Sequence, residues 1–187
     1  MAERPIAAGK SSFDLIDRDK FFTSLQLGPD TVFLDLASGA GEYSIEAAVR
    51  LGGKGDVHAV DLWAEGIEAL NEKIREKHLA NIHTIIADIT RPLPLTSGLY
   101  DICLLATVLH DLPKSGQVMV LREAARLLKP EGILAVVEFR KINHGPGPPA
   151  AIRFSEQELE KMASAQGFSL VSCDEVGQYT YSCLFRK

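Results

Sequence analysis

Along the chain, apolar runs rich in β-branched residues alternate with segments in which apolar residues recur at helical spacing. This alternation predicts repeated strand–helix units. The first unit combines a strand at 31–37, a glycine-containing turn at 38–41 and a helix at 42–51. A second strand at 57–62 leads into a helix from 64 to about 78, whose apolar residues recur on one face. Two such units in succession are typical of an α/β protein.

Three further apolar strands are predicted at 83–87, 100–106 and 132–139, and a helix at 117–128 precedes the last of them. These strands are apolar along nearly their whole length, as expected when both faces of a sheet are covered. Helical connections make neighbouring strands parallel and place helices above and below the sheet. The pattern therefore predicts a doubly wound α/β fold.

The end of the chain has a different pattern. A proline- and glycine-rich stretch at 143–149 is followed by a helix at 155–166 that begins with a capping box. Two strand-like runs at 169–173 and 179–185 come next, with a short turn around Gly177 between them. The whole is thus predicted as a mostly parallel, seven-stranded sheet that ends in an antiparallel hairpin.

The size and composition of the chain narrow the choice of partners. A chain of 187 residues that is 46% hydrophobic and 24% charged is expected to form one globular domain, residues 1–187. Its formal net charge of −5 argues against a nucleic acid or an anionic membrane as partner. A small molecule is the favoured partner.

The three cysteines are Cys103, Cys173 and Cys183, and no two of them form a C-x-x-C pair. Neither a disulfide framework nor a zinc site is therefore expected, and buried apolar roles are favoured for all three. The N-terminus lacks the apolar core of a signal peptide, and no apolar run reaches the roughly 20 residues of a transmembrane helix. These features favour the cytoplasm.

The turn after the first strand has the chemistry of a ligand cradle. Gly39 and Gly41 lack Cβ atoms, so a ligand can approach the backbone, and the helix behind them offers free N–H groups. Asp61 ends the second strand 20 residues after Gly41, the spacing at which dinucleotide-binding folds place an acid on ribose hydroxyls. Ser44 replaces the third glycine of G-x-G-x-x-G, which weakens the case for a diphosphate. Asp35 adds negative charge, which suits a ligand with an ammonium or sulfonium group.

Four stretches together carry a family resemblance. They are Asp35-Leu36-Ala37-Ser38-Gly39-Ala40-Gly41, Asp61, Ala87-Asp88-Ile89 and Leu127-Leu128-Lys129-Pro130-Glu131-Gly132. Over roughly residues 31–139 the chain resembles class I S-adenosylmethionine-dependent methyltransferases, and in particular the small type 11 group related to the quinone-biosynthesis C-methyltransferases. The resemblance implies a Rossmann-like sheet, S-adenosylmethionine as cofactor, and direct transfer of its methyl group to an oxygen, nitrogen or carbon atom of a small molecule.

The resemblance implies which residues meet the methionine part of the cofactor. Gly39 and Gly41 would pass beneath it, and Asp35 would bind its amino group directly or through water. Ala106, at the end of the fourth strand, would lie close to the same part. Ala37 departs from the family pattern, since many members have glycine there, but alanine is small enough that little loss is expected.

The adenosine part of the cofactor is assigned in the same way. Asp61 would accept the ribose hydroxyls, and Leu62 would pack against adenine. Asp88 would accept a hydrogen bond from the exocyclic amine of adenine, and the Ile89 backbone would contact the ring.

Other interpretations stay open at this point. Asp35 is compatible with a turn, Asp61 with the charge at a helix N-terminus and Asp88 with an ordinary loop. An NAD-dependent oxidoreductase is a second class of function, although Ser44 in the third-glycine position and Asp88 disfavour it. A third is a noncatalytic subunit that binds S-adenosylmethionine and has regulatory or partner roles.

The best candidate for a catalytic residue is His110, in the stretch that follows the fourth strand. Its imidazole could accept a proton from the methyl acceptor near neutral pH, with Asp111 or another acid orienting it. The alternative is a structural histidine that hydrogen-bonds across the domain or caps a loop. The spacing of the histidines gives no case for a metal site.

Two segments are placed to cover the ligand-binding edge of the sheet. Residues 1–24 are predicted as an N-terminal lid, with an ordinary packed arm as the alternative. Residues 140–154 leave the fifth strand at the same edge and are predicted to form a substrate-side loop. A monomer and a homodimer are both compatible with these features.

Overall fold

A computed structural model of the chain describes residues 8–187, in which seven strands form one sheet. The strands are β1 (Val32–Leu36), β2 (Asp56–Asp61), β3 (Ile82–Ile86), β4 (Tyr100–Ala106), β5 (Leu128–Phe139), β6 (Ser169–Glu175) and β7 (Thr180–Arg186). The helices are α1 (Arg18–Ser24), α2 (Glu42–Leu51), α3 (Ala64–Glu76), α4 (Lys114–Leu127) and α5 (Glu156–Ser164). Short 3-10 turns lie at Phe13–Leu15, Leu109–Asp111 and Ala150–Ile152.

The strand order is β3-β2-β1-β4-β5-β7-β6, which confirms the predicted fold class. The pairs among β1 to β5 are parallel, whereas β7 runs antiparallel to both β5 and β6. Chain progression reverses between β1 and β4, and open α/β sheets bind ligands outside the carboxyl ends of the strands at such a point. The fold therefore directs attention to the loops that follow β1, β2 and β4.

Each face of the sheet is covered by its own helices and forms its own core. On β1, Phe33 belongs to the core under α1, α2 and α3, whereas Leu34 and Leu36 belong to the core under α4 and α5. The same alternation of faces continues on β4, with Cys103 and Leu104 on opposite sides. Alternate residues of a strand point to opposite faces, so strands buried on both sides are apolar throughout.

The described part of the predicted lid is packed against the domain. Phe21 and Phe22 of α1 are buried in the core. The Asp17 N–H donates to the carbonyl oxygen of Val176 at 2.5 Å, which ties the arm to the C-terminal hairpin. Residues 1–7 lie outside the described part of the chain. Among residues 8–24, the α1 region thus has the contacts of a packed arm, and the movement of a lid stays a prediction.

The C-terminal hairpin corrects the expectation for two cysteines. Cys173 of β6 and Cys183 of β7 stand directly opposite each other in the antiparallel register, with Cα atoms 4.1 Å apart, and a disulfide bond joins them. The sequence shows a separation of 10 residues but not the strand register, which is what brings the two side chains together. Cys103 is free and buried in the core, as predicted.

Candidate functional site

The first cavity lies at the carboxyl ends of β1, β2, β3 and β4, on the edge that the strand order indicates. Of the predicted cofactor-binding residues, seven line it: Ala37, Gly39, Asp61, Leu62, Asp88, Ile89 and Ala106. The remaining lining residues are Ala8, Gly9, Lys10, Ser11, Ala40, Glu42, Trp63, Thr90, Thr107, Val108, Asp111 and Leu112. Residues from four separate strand ends thus meet in one cavity, as the sequence analysis predicts.

The glycine turn after β1 has a left-handed backbone at three positions. The φ angles are +67° at Ala37, +56° at Gly39 and +79° at Gly41. A Cβ atom at Gly39 would meet nothing within 4 Å, so the backbone there is open to a ligand. At Gly41 a Cβ would collide with the Leu70 side chain, so this glycine lets α2 and α3 pack closely and does not itself line the cavity. Ala37 carries the strain that a glycine would avoid.

Asp61 is held by the backbone on both sides of its carboxylate. The Gly39 N–H donates to Asp61 Oδ2 and the Trp63 N–H donates to Asp61 Oδ1, both at 2.7 Å. A carboxylate oxygen accepts two hydrogen bonds, so each oxygen retains capacity for a hydroxyl donor. The side chain is only slightly exposed and faces the cavity. It is oriented to receive two adjacent hydroxyl groups.

Asp35 does not line the first cavity but lies behind the glycine turn. It is buried, and its Oδ2 accepts a hydrogen bond from the Ser44 hydroxyl at 2.6 Å. Burial raises the pKa of Asp35 to about 7, the charges of Asp61 and Glu42 add to the increase, and the Ser44 hydrogen bond opposes it. This position does not favour direct contact with a ligand's amino group, and contact through water stays a prediction. Ser44 stands where the dinucleotide-binding motif has its third glycine, and here it is the hydrogen-bond partner of Asp35.

Glu42 is an acid of the first cavity that the sequence analysis missed. It begins α2 directly after Gly41, and its Oε1 pairs with Lys73 Nζ at 2.9 Å. Together with Asp35 and Asp61 it surrounds the turn with carboxyl groups. Its place in the first helical turn is a common one for acids, so the sequence alone gives no reason to single it out.

Asp88 follows β3 and lies on the wall of the first cavity. Its Oδ1 accepts hydrogen bonds from the Thr90 N–H at 2.9 Å and from the Thr90 hydroxyl at 2.7 Å. Partial burial would raise the pKa of Asp88, but these hydrogen bonds and the nearby Arg91 hold it below the usual range. The side chain is thus an ionised acceptor, with Oδ2 3.2 Å from Arg91 Nε. It suits a ligand that presents an N–H donor.

A second cavity adjoins the first and is largely apolar. The two share four lining residues: Lys10, Ser11, Thr107 and Asp111. The second cavity is further lined by Ser12, Leu15, His110, Phe139, Pro146, Gly147, Pro148, Pro149 and Ile152. Its polar groups lie beside the shared boundary, whereas prolines and aliphatic side chains form much of the rest. The predicted lid and the predicted substrate-side loop therefore both contribute walls.

His110 opens onto the second cavity and is oriented by a buried acid. Its Nδ1 lies 2.7 Å from Glu138 Oε2, and its Nε2 lies 3.7 Å from Asp111 Oδ2. Burial would lower the pKa of His110, but the hydrogen bond to Glu138 and the charges of Glu138 and Asp111 outweigh it, so the pKa is raised. When Nδ1–H donates to Glu138, neutral His110 presents a free acceptor at Nε2.

Glu138 is the second residue that the sequence analysis missed. It lies near the end of β5, is fully buried, and has one oxygen, Oε1, without a hydrogen-bond partner among the described residues. A buried carboxylate is costly unless it is paired, so the His110 contact accounts for its presence. The sequence feature that could have identified Glu138 is the presence of an acid within the apolar run that ends at Phe139. Asp111, which the sequence analysis names beside the alternative of another acid, lies farther from the imidazole than Glu138 does.

Two negative findings concern residues 8–187 only. No cluster of three or more histidine, cysteine, aspartate or glutamate side chains is arranged to hold a metal ion in this part of the chain. Across the same residues, no helix has both the length and the apolar character needed to cross a membrane.

Comparisons with known proteins agree with this geometry. A sequence model of the family described as "Methyltransferase domain" matches residues 27–183. The chain is 31% identical over 121 residues to a demethylmenaquinone methyltransferase from Lactobacillus johnsonii, which covers 65% of this chain and 49% of that protein. The chain thus spans about half the length of the curated relatives that it matches.

Solved structures give the same result for the fold. The crystal structure of an S-adenosylmethionine-dependent methyltransferase from Aquifex aeolicus matches with a TM-score of 0.83 and 26% identity, over 95% of this chain and 93% of that one. A type 11 methyltransferase structure from Sulfolobus solfataricus shares the fold, with a TM-score of 0.74 and 20% identity over 92% and 93% of the two chains. The family match covers most of the chain and every residue that lines the two cavities, except those of the N-terminal arm. The chain therefore belongs to the methyltransferase-domain family, within the class I S-adenosylmethionine-dependent methyltransferases.

Proposed function

We propose that this protein transfers the methyl group of S-adenosylmethionine to a small molecule that carries an acidic O–H or N–H group. The observation that carries the proposal is the junction of the two cavities, where His110 faces the second cavity beside residues shared with the first. The cofactor supplies an electrophilic methyl group when bound, so the protein mainly has to align the acceptor and manage one proton.

The first cavity supplies a complementary group for each part of the cofactor. Asp61 accepts the ribose hydroxyls, for which each of its oxygens keeps a lone pair. Asp88 accepts the adenine amine, while Leu62 and the Ile89 backbone pack against the ring. Support comes from the placement of all four on the walls of one cavity.

Negative charge around the glycine turn serves the positively charged end of the cofactor. Glu42 lies on the wall of the first cavity, and Asp35 is buried behind the glycine turn. Both the ammonium and the sulfonium group lower the cost of ionising these acids. Gly39 keeps the backbone accessible, and Ala106 leaves room at the end of β4.

His110 acts as the general base in this proposal. Neutral His110 receives the acceptor's proton at Nε2, while Glu138 holds Nδ1–H and stabilises the imidazolium that results. Because the ring is oriented from behind by a buried acid, its free nitrogen stays directed at the second cavity. This arrangement favours acceptors whose nucleophilicity depends on deprotonation.

The walls of the second cavity favour an aromatic acceptor with an apolar body. Leu15, Phe139 and Ile152 line it together with prolines of the 140–154 loop. A relative with 31% identity is named for demethylmenaquinone, a quinone. Hydroxylated aromatic compounds, including quinols, are therefore the first acceptors to assay. A small-molecule partner is part of the proposal, on the basis of the acidic charge balance. A cytoplasmic location stays a prediction from the sequence, and the Cys173–Cys183 bond does not support it.

Calorimetric titration with S-adenosylmethionine, S-adenosylhomocysteine and NAD tests the cofactor. Saturable binding of the first two without NAD is the expected result, whereas binding of NAD alone would overturn it in favour of an oxidoreductase. Turnover is tested by incubating the enzyme with S-adenosylmethionine and a panel of phenols, naphthols and quinols, and measuring S-adenosylhomocysteine release. Tight cofactor binding without turnover of any acceptor would instead favour the noncatalytic alternative.

A further inference from the structure

The substrate-side loop is held in place by one buried arginine. The Arg153 guanidinium donates three hydrogen bonds to main-chain carbonyl oxygens: Nε to Pro148 at 2.8 Å, Nη1 to Arg140 at 2.9 Å and Nη2 to Pro146 at 2.9 Å. The residue is only 4% exposed. Within the described chain, all three of these hydrogen bonds go to carbonyl oxygens and none goes to a carboxylate.

This arrangement compensates for the composition of the loop. Pro146, Pro148 and Pro149 have no N–H group, so the segment has few donors of its own for its carbonyl oxygens. Buried carbonyl groups need partners, and a planar guanidinium offers several donors in a rigid fork. Arg153 thus replaces the backbone ladder that a regular element would provide.

The same guanidinium places the loop against a wall of the second cavity. Its central carbon lies 5.5 Å from the centroid of the Phe139 ring. Gly147 lies against this ring as well, because a Cβ at Gly147 would approach Phe139 Cδ1 to 2.6 Å. Its φ of +97° also requires glycine. Phe139 and the 146–149 segment that Arg153 holds both line the second cavity.

We propose that Arg153 is the positioning residue of the acceptor site, which fixes the 146–149 wall against Phe139 and thereby sets the size of the aromatic acceptor that reaches His110. The inference rests on the proposed function, since it treats the second cavity as the acceptor site. Arg153 itself does not line the cavity, and it acts through the loop carbonyl groups and the Phe139 ring.

Arg153 also acts on the base through its charge. Glu138 and Asp111 raise the pKa of His110, whereas the positive charge of Arg153 lowers it. Two variants of Arg153 therefore separate the effect of its charge from the effect of its hydrogen-bonding geometry. Arg153→Lys keeps the charge without the planar fork, and Arg153→Gln removes the charge.

The first measurement is hydrogen exchange of the 140–154 segment in the full-length protein. Both Arg153→Lys and Arg153→Gln are expected to speed exchange in this segment at least tenfold, while α2 and α3 keep wild-type protection. Arg140→Met is the matched control, because the Arg140 side chain reaches Gln178 and Glu175 rather than the 146–148 carbonyl groups. Wild-type exchange in both Arg153 variants would overturn the proposal.

The second measurement separates positioning from general support of the fold. His110 is titrated by NMR, and its pKa is expected to rise in Arg153→Gln but to stay near the wild-type value in Arg153→Lys. An equal pKa in all three proteins would show that Arg153 does not act on the base. Circular dichroism confirms that each variant is folded.

The third measurement concerns acceptor size. Dissociation constants of phenol, 1-naphthol and 9-phenanthrol are measured with S-adenosylhomocysteine present, and both Arg153 variants are expected to shift the ratio of affinities at least fivefold towards the larger rings. An unchanged ratio alongside a loosened loop would overturn the size-setting role. If the wild type binds S-adenosylhomocysteine but none of the three, the acceptor-site inference fails while the cofactor assignment stands. If S-adenosylhomocysteine itself does not bind, the proposed function fails.

Discussion

The two adjoining cavities are built in different ways. The first is formed mainly by short loops directly after β1, β2, β3 and β4, and Asp61 and Asp88 accept hydrogen bonds from backbone groups two residues away or at the neighbouring strand end. The second is formed by the N-terminal arm, the turn after β4 and the long 140–154 loop. The contacts that hold it, such as His110 with Glu138, join residues far apart in the chain. The proposed cofactor site thus rests mainly on local geometry, and the proposed acceptor site rests on tertiary packing.

The largest effect is expected from a variant that disrupts the second cavity and leaves the first intact. His110→Ala should lower kcat by about 10²- to 10⁴-fold, the usual contribution of a general base, with cofactor affinity unchanged. In the wild type, activity should rise with pH through a pKa above 6.5, because the unprotonated imidazole is the active form and Glu138 raises its pKa. Rate–pH profiles check both points. His83→Ala, an exposed histidine on β3, is the control. Unchanged turnover in His110→Ala would remove it as the base.

The next largest effect is expected from a variant that disrupts the first cavity and leaves the second intact. Asp61→Ala should weaken S-adenosylmethionine binding by roughly 100-fold, since it removes the charged acceptor of two hydroxyl groups, each worth about 1.5–3 kcal/mol before compensation by water. Isothermal titration measures the change. Asp56→Ala at the opposite end of the same strand is the matched control, because its side chain is half exposed and pairs with His83. Equal affinity in Asp61→Ala and the wild type would exclude the ribose role.

A third variant tests the buried acid behind the first cavity. The native pKa of Asp35 is raised to about 7 from 3.8, so the folded state holds this proton more tightly than the unfolded chain. Its contribution to stability is therefore full below pH 3.8 and is lost as the pH rises to about 7. Asp35→Asn should make the protein more stable at pH 8, by on the order of 4 kcal/mol. Denaturant unfolding at pH 5.5 and pH 8 measures the difference.

The same variant sharpens the cofactor assignment. Asp35→Asn should bind S-adenosylmethionine more weakly at pH 8, where the wild-type carboxyl is ionised, but nearly as well as the wild type at pH 5.5. Titration at the two pH values checks this. A loss of affinity that is equal at both would argue for a lost hydrogen bond rather than a lost charge.

The smallest expected effect concerns the backbone of the glycine turn. Ala37→Gly should stabilise the protein by about 1 kcal/mol, because the left-handed conformation at φ +67° strains an alanine. This corresponds to roughly 2–4 °C in Tm for a chain of this size. Thermal unfolding measures it. A lower Tm in the variant would show that the alanine methyl group contributes packing that outweighs the strain.

Much of the first cavity was predictable because its determinants are local. Alternating periodicities place the strands, and the carboxyl ends of parallel strands share one edge, so Asp61, Asp88 and Ala106 converge without knowledge of packing. Asp35 lies on the predicted strand, but its side chain does not line the cavity. Its side chain follows the strand alternation into the core, where Ser44 meets it.

Long-range pairings were beyond prediction from the sequence. Glu138 lies 28 residues from His110, and it reads as one more position of an apolar strand until the packing of β4 beside β5 brings the two together. The start of β5 at Leu128 rather than near 132 has a similar origin, because β4 and β5 shift register between Tyr100 and Ile102. Register is a property of the strand pair and not of either segment.

The sequence by itself determined the α/β order of elements, the glycine turn and the acids at the strand ends, because periodicity, backbone sterics and turn chemistry act over a few residues. Only the tertiary structure decided the His110–Glu138 pair, the grip of Arg153 on the proline loop and the Cys173–Cys183 bond. These contacts depend on which strands become neighbours and in what register, and that is settled by burial of the whole core rather than by any short stretch of the chain.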